Sequence, residues 1–170
     1  MRNTLTRLIA IAAITGLSAC ASQKPLEIPT GQPSFYQSMA SREAKLDVVA
    51  ARDLITIYRR NNGLSAVQLD PILLAKAQEQ ADAMAAANSM SHEVRGTLQA
   101  RIGNSGLEHS MAVENISAGY HTLADAISGW RNSPHHNDNL LNGKMRRMGI
   151  ASAYAPGTKY KVFWALVMSD

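Results

Sequence analysis

The chain carries a single cysteine, Cys20, and its neighbours indicate what that thiol is for. It closes the run Leu17-Ser18-Ala19-Cys20, which looks like a bacterial lipobox. Small residues admit the chain to a signal peptidase, and a thiol is the nucleophile that takes a thioether-linked lipid. Arg2 and Arg7 precede an apolar stretch from Leu8 to Leu17, the order of n-region and h-region in a signal peptide. That stretch is too short to span a bilayer, which takes about 20 residues. With no second cysteine there is no intrachain disulfide, so lipidation is the expected role of the thiol. Diacylation plus an N-acyl chain would anchor the protein stably, since two or more chains suffice where one is marginal. Ala21 rather than aspartate follows the cysteine, which by the Gram-negative sorting rule directs an exported lipoprotein to the outer membrane, on its periplasmic or surface face.

Other patterns exclude more than they assign. There is no Gly-rich phosphate loop and no Gly-x-Ser-x-Gly elbow, so nucleotide binding and serine hydrolysis are not expected. His92-Glu93 does not begin a zincin helix, because Gly96 stands where the second histidine belongs. Asn137-Asp138-Asn139 lacks the remaining spaced oxygens of a calcium loop and reads as turn and cap chemistry. Lys and Arg total 17 against 13 Asp and Glu, a net +4. Cleavage before Cys20 removes Arg2 and Arg7 and no acid, leaving 15 against 13, or +2. With that balance and no basic stripe interleaved with aromatics, no nucleic-acid partner is expected. His109 and His121 read as surface residues, and Trp130 and Trp164 as core.

Any site must be held by the elements of one domain, since 170 residues suit about one. The expected organisation is a signal peptide over 1–19, lipidated Cys20 with a tether over 20–38, and a domain over 39–170. Pro25, Pro29, Gly31 and Pro33 keep the tether extended. Helical spacing of Leu46, Val49, Leu54, Ile57 and Tyr58 predicts a helix from Ser41 to Asn62. A second starts at Asp70-Pro71, a capping acid before a first-turn proline, and runs to about Asn88. Short helices are expected over 97–102 and from Thr122 to about Trp130. Met148 to Tyr154 and Tyr160 to Met168 flank Ala155-Pro156-Gly157-Thr158 as a hairpin, and a third strand is expected over 110–116. In the last strand Tyr160, Val162, Trp164, Leu166 and Met168 point one way and Phe163, Ala165 and Val167 the other. A strand apolar on both faces sits between two layers. The expected fold class is therefore α+β, a three-layer α-β-α sandwich with a small antiparallel sheet between helices.

Several segments taken in order carry a resemblance. They are Asn62-Gly63-Leu64 with Leu69-Asp70-Pro71, Ser91-His92, Glu114-Asn115-Ile116 with Gly119, the run from Trp130 to Leu141, and Met148-Gly149-Ile150-Ala151. Over residues 42 to 168 the chain resembles the bacterial branch of the CAP superfamily (SCP domain), which groups cysteine-rich secretory, antigen 5 and pathogenesis-related 1 proteins. The resemblance implies an α-β-α sandwich with a cleft lined by two histidines and acids. His92 matches its first histidine, Glu114 the glutamate of the Glu-Asn-Ile/Leu motif, and His136 the histidine of the Trp-x-x-Ser-x-x-His segment. Asn115, Ser133, Asn139 and His135 stand beside them in these motifs. The chain departs from the pattern at His135, where a small residue is usual, and at Pro134, where some relatives carry an acid. Glu93, Glu108 and Asp138 remain candidates for the fourth member.

By this resemblance His92, Glu114 and His136 can hold a divalent metal such as zinc, or act together in catalysis with Glu114 as general acid/base. The alternative is a hydrogen-bonded polar cluster. The expected function is binding of envelope glycan, with peptidoglycan cleavage as one alternative and lipid or sterol binding as another. Hydrolysis of a glycosidic bond takes two carboxylates. A muramic 6-hydroxyl attacking its own anomeric carbon would need only one acid/base.

Overall fold

A computed structural model describes residues 31–103, 105–107 and 110–170. Cys20, the expected signal segment, the expected tether up to residue 30, Glu108 and His109 lie outside the described residues. No described helix is long and apolar enough to cross a membrane.

Strand β4 (Lys161–Ser169) sets the architecture, because both its faces are apolar. Val162, Trp164, Leu166 and Met168 enter one buried cluster, while Phe163, Ala165 and Val167 enter another. β3 (Arg147–Ala155) and β2 (Ala112–Ala118) flank it, both antiparallel to it. β1 (Gln68–Leu69) adds a parallel edge to β3, so the sheet order is β1-β3-β4-β2. The expected antiparallel sheet is thus mixed at one edge, where a two-residue strand is too short to show periodicity. α1 (Val48–Asn61), α4 (Leu123–Asn132) and α5 (Pro134–Leu140) pack on the Trp164 face. α2 (Pro71–Ala87) and α3 (Leu98–Ile102) pack on the other, which completes the α-β-α sandwich. Tyr160 departs from the alternation. Lys161 at φ 68° turns the chain, and the Tyr160 ring meets Phe163 edge-on with centroids 5.8 Å apart.

α2 forms where its end signals say. Asp70 Oδ1 accepts from the Ile72 and Leu73 N–H groups at 2.8 and 3.1 Å, and Asn88 closes the helix in the left-handed region. Asp70→Ala removes both capping bonds and the 3.4 Å pair with Arg147. A loss of about 1 kcal/mol is expected in urea unfolding.

α1 starts later than the apolar spacing predicts. Asp47, not Ser41, is its cap, accepting from Ala50 N–H at 2.9 Å and from the Ser34 hydroxyl at 2.7 Å. Both bonds hold the Asp47 carboxyl below its usual range. Packing begins as early as a single 3-10 turn over Ser34–Tyr36, with Phe35 against the core. The inner face of α1 also differs from expectation. Ala51, Ile55, Thr56 and Arg59 are buried, while Val49 and Ile57 are exposed. Arg59 is fully buried and donates to the carbonyls of Ser65, Leu140, Asn142 and Met145. Burial lowers its pKa, with repulsion from Arg146 adding to it. Four fixed carbonyls supply the solvation that water would otherwise give this cation.

Candidate functional site

Edge strand β2 carries the centre of the site. Successive side chains of a strand alternate in direction. Asn115 accordingly turns to α5, while Glu114 and Ile116 turn to the layer that holds α3.

The Glu114 side chain is only 2% exposed, and both its oxygens are engaged. Oε1 lies 2.8 Å from His92 Nδ1, and Oε2 accepts from Arg101 Nη2 at 2.6 Å. Arg101 belongs to α3, whose Thr97 cap accepts from Ala100 N–H. Its Nε also donates to the Gly96 carbonyl at 3.3 Å, so the guanidinium braces the loop that carries His92. Gln80 of α2 pins the same loop by donating to the Ser91 carbonyl at 2.8 Å. His92 itself is half exposed. A carboxylate on Nδ1 fixes the hydrogen there and leaves Nε2 as the nitrogen with a lone pair. Glu114 orients and His92 is presented.

The second histidine comes from α5, a helix that the Asn-rich run hides. Asn and Asp favour turns over helix interiors, yet Pro134 at the first turn and four tertiary bonds hold this one. Asn115 Nδ2 donates to the His136 carbonyl at 2.9 Å, and Asn139 Nδ2 donates to Asn115 Oδ1 at 2.9 Å and the Glu114 carbonyl at 3.2 Å. Tyr58 completes the set, its hydroxyl donating to Asn137 Oδ1 at 2.7 Å. Asn137 and Asn139 are thus structural ties. Ser133 Oγ stands 3.0 Å from His136 Nδ1, which leaves Nε2 of that ring for a ligand. Trp130 is buried beneath and donates Nε1 to the Ile116 carbonyl, and Trp164 donates Nε1 to the Tyr120 carbonyl.

His92 and His136 face one cavity of about 510 Å³, with Met90, Ser91, Glu93 and Ile116. A second recess of about 250 Å³ shares Met90, Ile116 and His136, so the two adjoin along one groove wall. Of the candidates for a fourth member, Glu93 lies exposed on the groove wall, Asp138 is exposed away from the lining, and Glu108 is outside the described residues. Arg101 completes the cluster instead. Its sequence signal is faint, because a basic residue in a helix's last turn reads as a partner for the helix dipole. His135 is exposed next to His136, and His121 is exposed elsewhere.

A divalent ion held by His92, Glu114 and His136 does not fit this arrangement. The carboxylate oxygens already bond His92 and Arg101, and the guanidinium charge balances the glutamate. Among the described residues no group of three His, Cys, Asp or Glu could hold a metal.

Burial lowers the His136 pKa from 6.5, and repulsion from His92 and then His135 lowers it further. Between that depressed value and 6.5 the unfolded chain binds more protons than the folded one. This stabilisation is complete above 6.5 and is lost as pH falls through the depressed value. Ring-proton NMR should find His136 titrating below 6.5, and His135→Ala should move it back upward. A His136 titration at or above 6.5 would contradict this geometry.

The pattern of the cysteine-rich secretory protein family, CAP, matches residues 52–168. The chain is 26% identical over 138 residues to the uncharacterised protein YkwD of Bacillus subtilis, covering 80% of this chain but only 51% of that one. It thus spans about half the length of that relative. An outer surface protein of Borrelia burgdorferi shares the fold at a TM-score of 0.66 and 21% identity, over 73% of this chain and 92% of that one. An extracellular protein of Bacillus anthracis containing a SCP domain matches at 0.62 and 28%, over 71% of this chain and 39% of that one.

Proposed function

Because the chain belongs to the CAP, or cysteine-rich secretory protein, family, we propose that it is an exported envelope lipoprotein whose His92–His136 groove binds cell-wall glycan without cutting it. The anchor would be lipid on Cys20, in the outer membrane. Relatives described as extracellular or outer-surface proteins support the export half of this reading.

One observation carries the binding half. Glu114 lies 2% exposed with both oxygens taken, so the groove holds a single described carboxylate, Glu93. Two are needed for hydrolysis by water or by a carboxylate nucleophile. The rest of the wall suits recognition, with imidazole and hydroxyl groups beside the apolar Met90 and Ile116. Sugars present the same mixture, hydroxyls around apolar C–H faces, and binding sites combine apolar walls with a few placed polar groups.

A second reading has support in the 2.8 Å His92–Glu114 pair. A neutral His92 held by a carboxylate can accept a proton at Nε2, as a general base does. It would take the proton of the sugar's own 6-hydroxyl as that oxygen attacks C1, and return it to the glycosidic oxygen that departs from C1.

Purified sacculi incubated with the protein separate these readings. Binding predicts co-sedimentation with no soluble fragments, weakened in His136→Ala. Fragments released by the protein and not by His92→Gln would replace binding with cleavage. Neither sedimentation nor release would overturn both.

A further inference from the structure

We propose that the recess beside His136 is a subsite for the acetamido group of an N-acetylated amino sugar. This rests on the glycan-binding reading above and says which glycan the groove selects.

The recess of about 250 Å³ adjoins the main cavity at Met90, Ile116 and His136. Its wall is largely apolar, from Ile116, Ala118, Trp130 and the Tyr120 ring. Gly129 of α4 is part of that wall because Tyr120 lies over it. A Cβ at 129 would collide with the Tyr120 ring and hydroxyl, so the glycine lets the aromatic close down on the helix. Tyr120 nevertheless stays 38% exposed, which leaves aromatic surface for a ring to stack on.

Within this apolar wall sits one anomaly. Ser117 is only 6% exposed, and its hydroxyl has no hydrogen-bond partner among the described residues. Its neighbours on β2 do not share that state. The Glu114 and Ile116 carbonyls are capped by Asn139 and Trp130, and the Asn115 side chain is bonded at both ends. A buried hydroxyl left unpaired is unfavourable, and an incoming acceptor would relieve it. The serine hydroxyl reaches its staggered positions by rotation about χ1. An acetamido group matches this surface part by part. Its methyl meets Trp130, on the same face of β2 as Ser117, its carbonyl accepts from Ser117, and the attached ring lies against Tyr120. A sugar with a hydroxyl in place of the acetamido group would leave the apolar part empty. The shared wall at His136 then carries the chain of sugars on into the larger cavity, where His92 and Glu93 meet the next ring.

The test compares chitotriose with cellotriose, trisaccharides that differ in acetamido against hydroxyl at each C2. Titration calorimetry with the purified protein should show chitotriose binding about tenfold more tightly, the effect of one added hydrogen bond and a buried methyl. Ser117→Ala should abolish most of that preference and leave cellotriose binding unchanged. Its melting temperature should be equal or higher, since the hydroxyl has no partner among the described residues to lose. Gly129→Ala, which lifts Tyr120, should weaken both sugars. Equal binding of the two sugars, or a preference that survives in Ser117→Ala, would overturn the acetamido subsite while leaving the groove reading intact. No binding of either sugar, together with failure to sediment with sacculi, would overturn both.

Discussion

Gly149→Ala is expected to cost more than about 3 kcal/mol and to lower Tm on the order of 10 °C. A Cβ at 149 would fall on the backbone of α2, against the Leu73 carbonyl carbon and oxygen and the Leu74 nitrogen. Backbone has no rotamer to yield, so α2 would have to lift away from β3. Leu73, Ala77, Ala81 and Met84 would then lose their close fit against Phe163, Ala165 and Val167. Gly149 has no left-handed φ, so the penalty comes from packing alone. Gly143→Ala is the control. Its added methyl would meet Leu64 Cδ2 at an ordinary 3.7 Å, and its effect should stay within about 0.5 kcal/mol. Urea unfolding of both variants decides the matter. A loss under about 1 kcal/mol at Gly149 would mean that helix and sheet do not approach so closely.

The same helix shows what was legible in the sequence. Asp70, Pro71 and Asn88 act through bonds within a few residues, so the ends of α2 could be read along the chain. The layers were legible too, because both faces of β4 are apolar and each must be covered. Arg59 was not. Its acceptors at Leu140, Asn142 and Met145 lie more than 80 residues away, and nothing local distinguishes it from a surface arginine. α5 was hidden for a similar reason, since Asn115 and Tyr58 hold a segment whose own propensity is poor. At the site, the ordered motifs marked His92, Glu114 and His136, whereas their roles depended on Arg101. Which group of a His–Glu pair is exposed depends on what else reaches the carboxylate, and that is a tertiary fact.

Glu114→Gln is expected to lose about 3 kcal/mol of stability, because it removes one partner of a buried ion pair. Arg101 is 6% exposed and would keep its charge with only a neutral amide oxygen in front of it. The substitution also forces a choice on His92. Glutamine offers one acceptor and one donor where the carboxylate offers two acceptors. If its oxygen turns to Arg101, its NH₂ turns to His92 Nδ1, which must then accept. The neutral ring should therefore invert, from hydrogen on Nδ1 in the native protein to hydrogen on Nε2 in the variant. Two-bond nitrogen–proton NMR correlations of the imidazole distinguish the two states. Removing the stranded charge should recover part of the stability, so Glu114→Gln with Arg101→Met should lose less than Glu114→Gln alone. Any change of activity in Glu114→Gln has two sources for this reason, a weakened fold and a reversed histidine, and neither requires the carboxylate to touch a ligand. A native-like tautomer together with unchanged stability would show that Glu114 neither orients His92 nor balances Arg101.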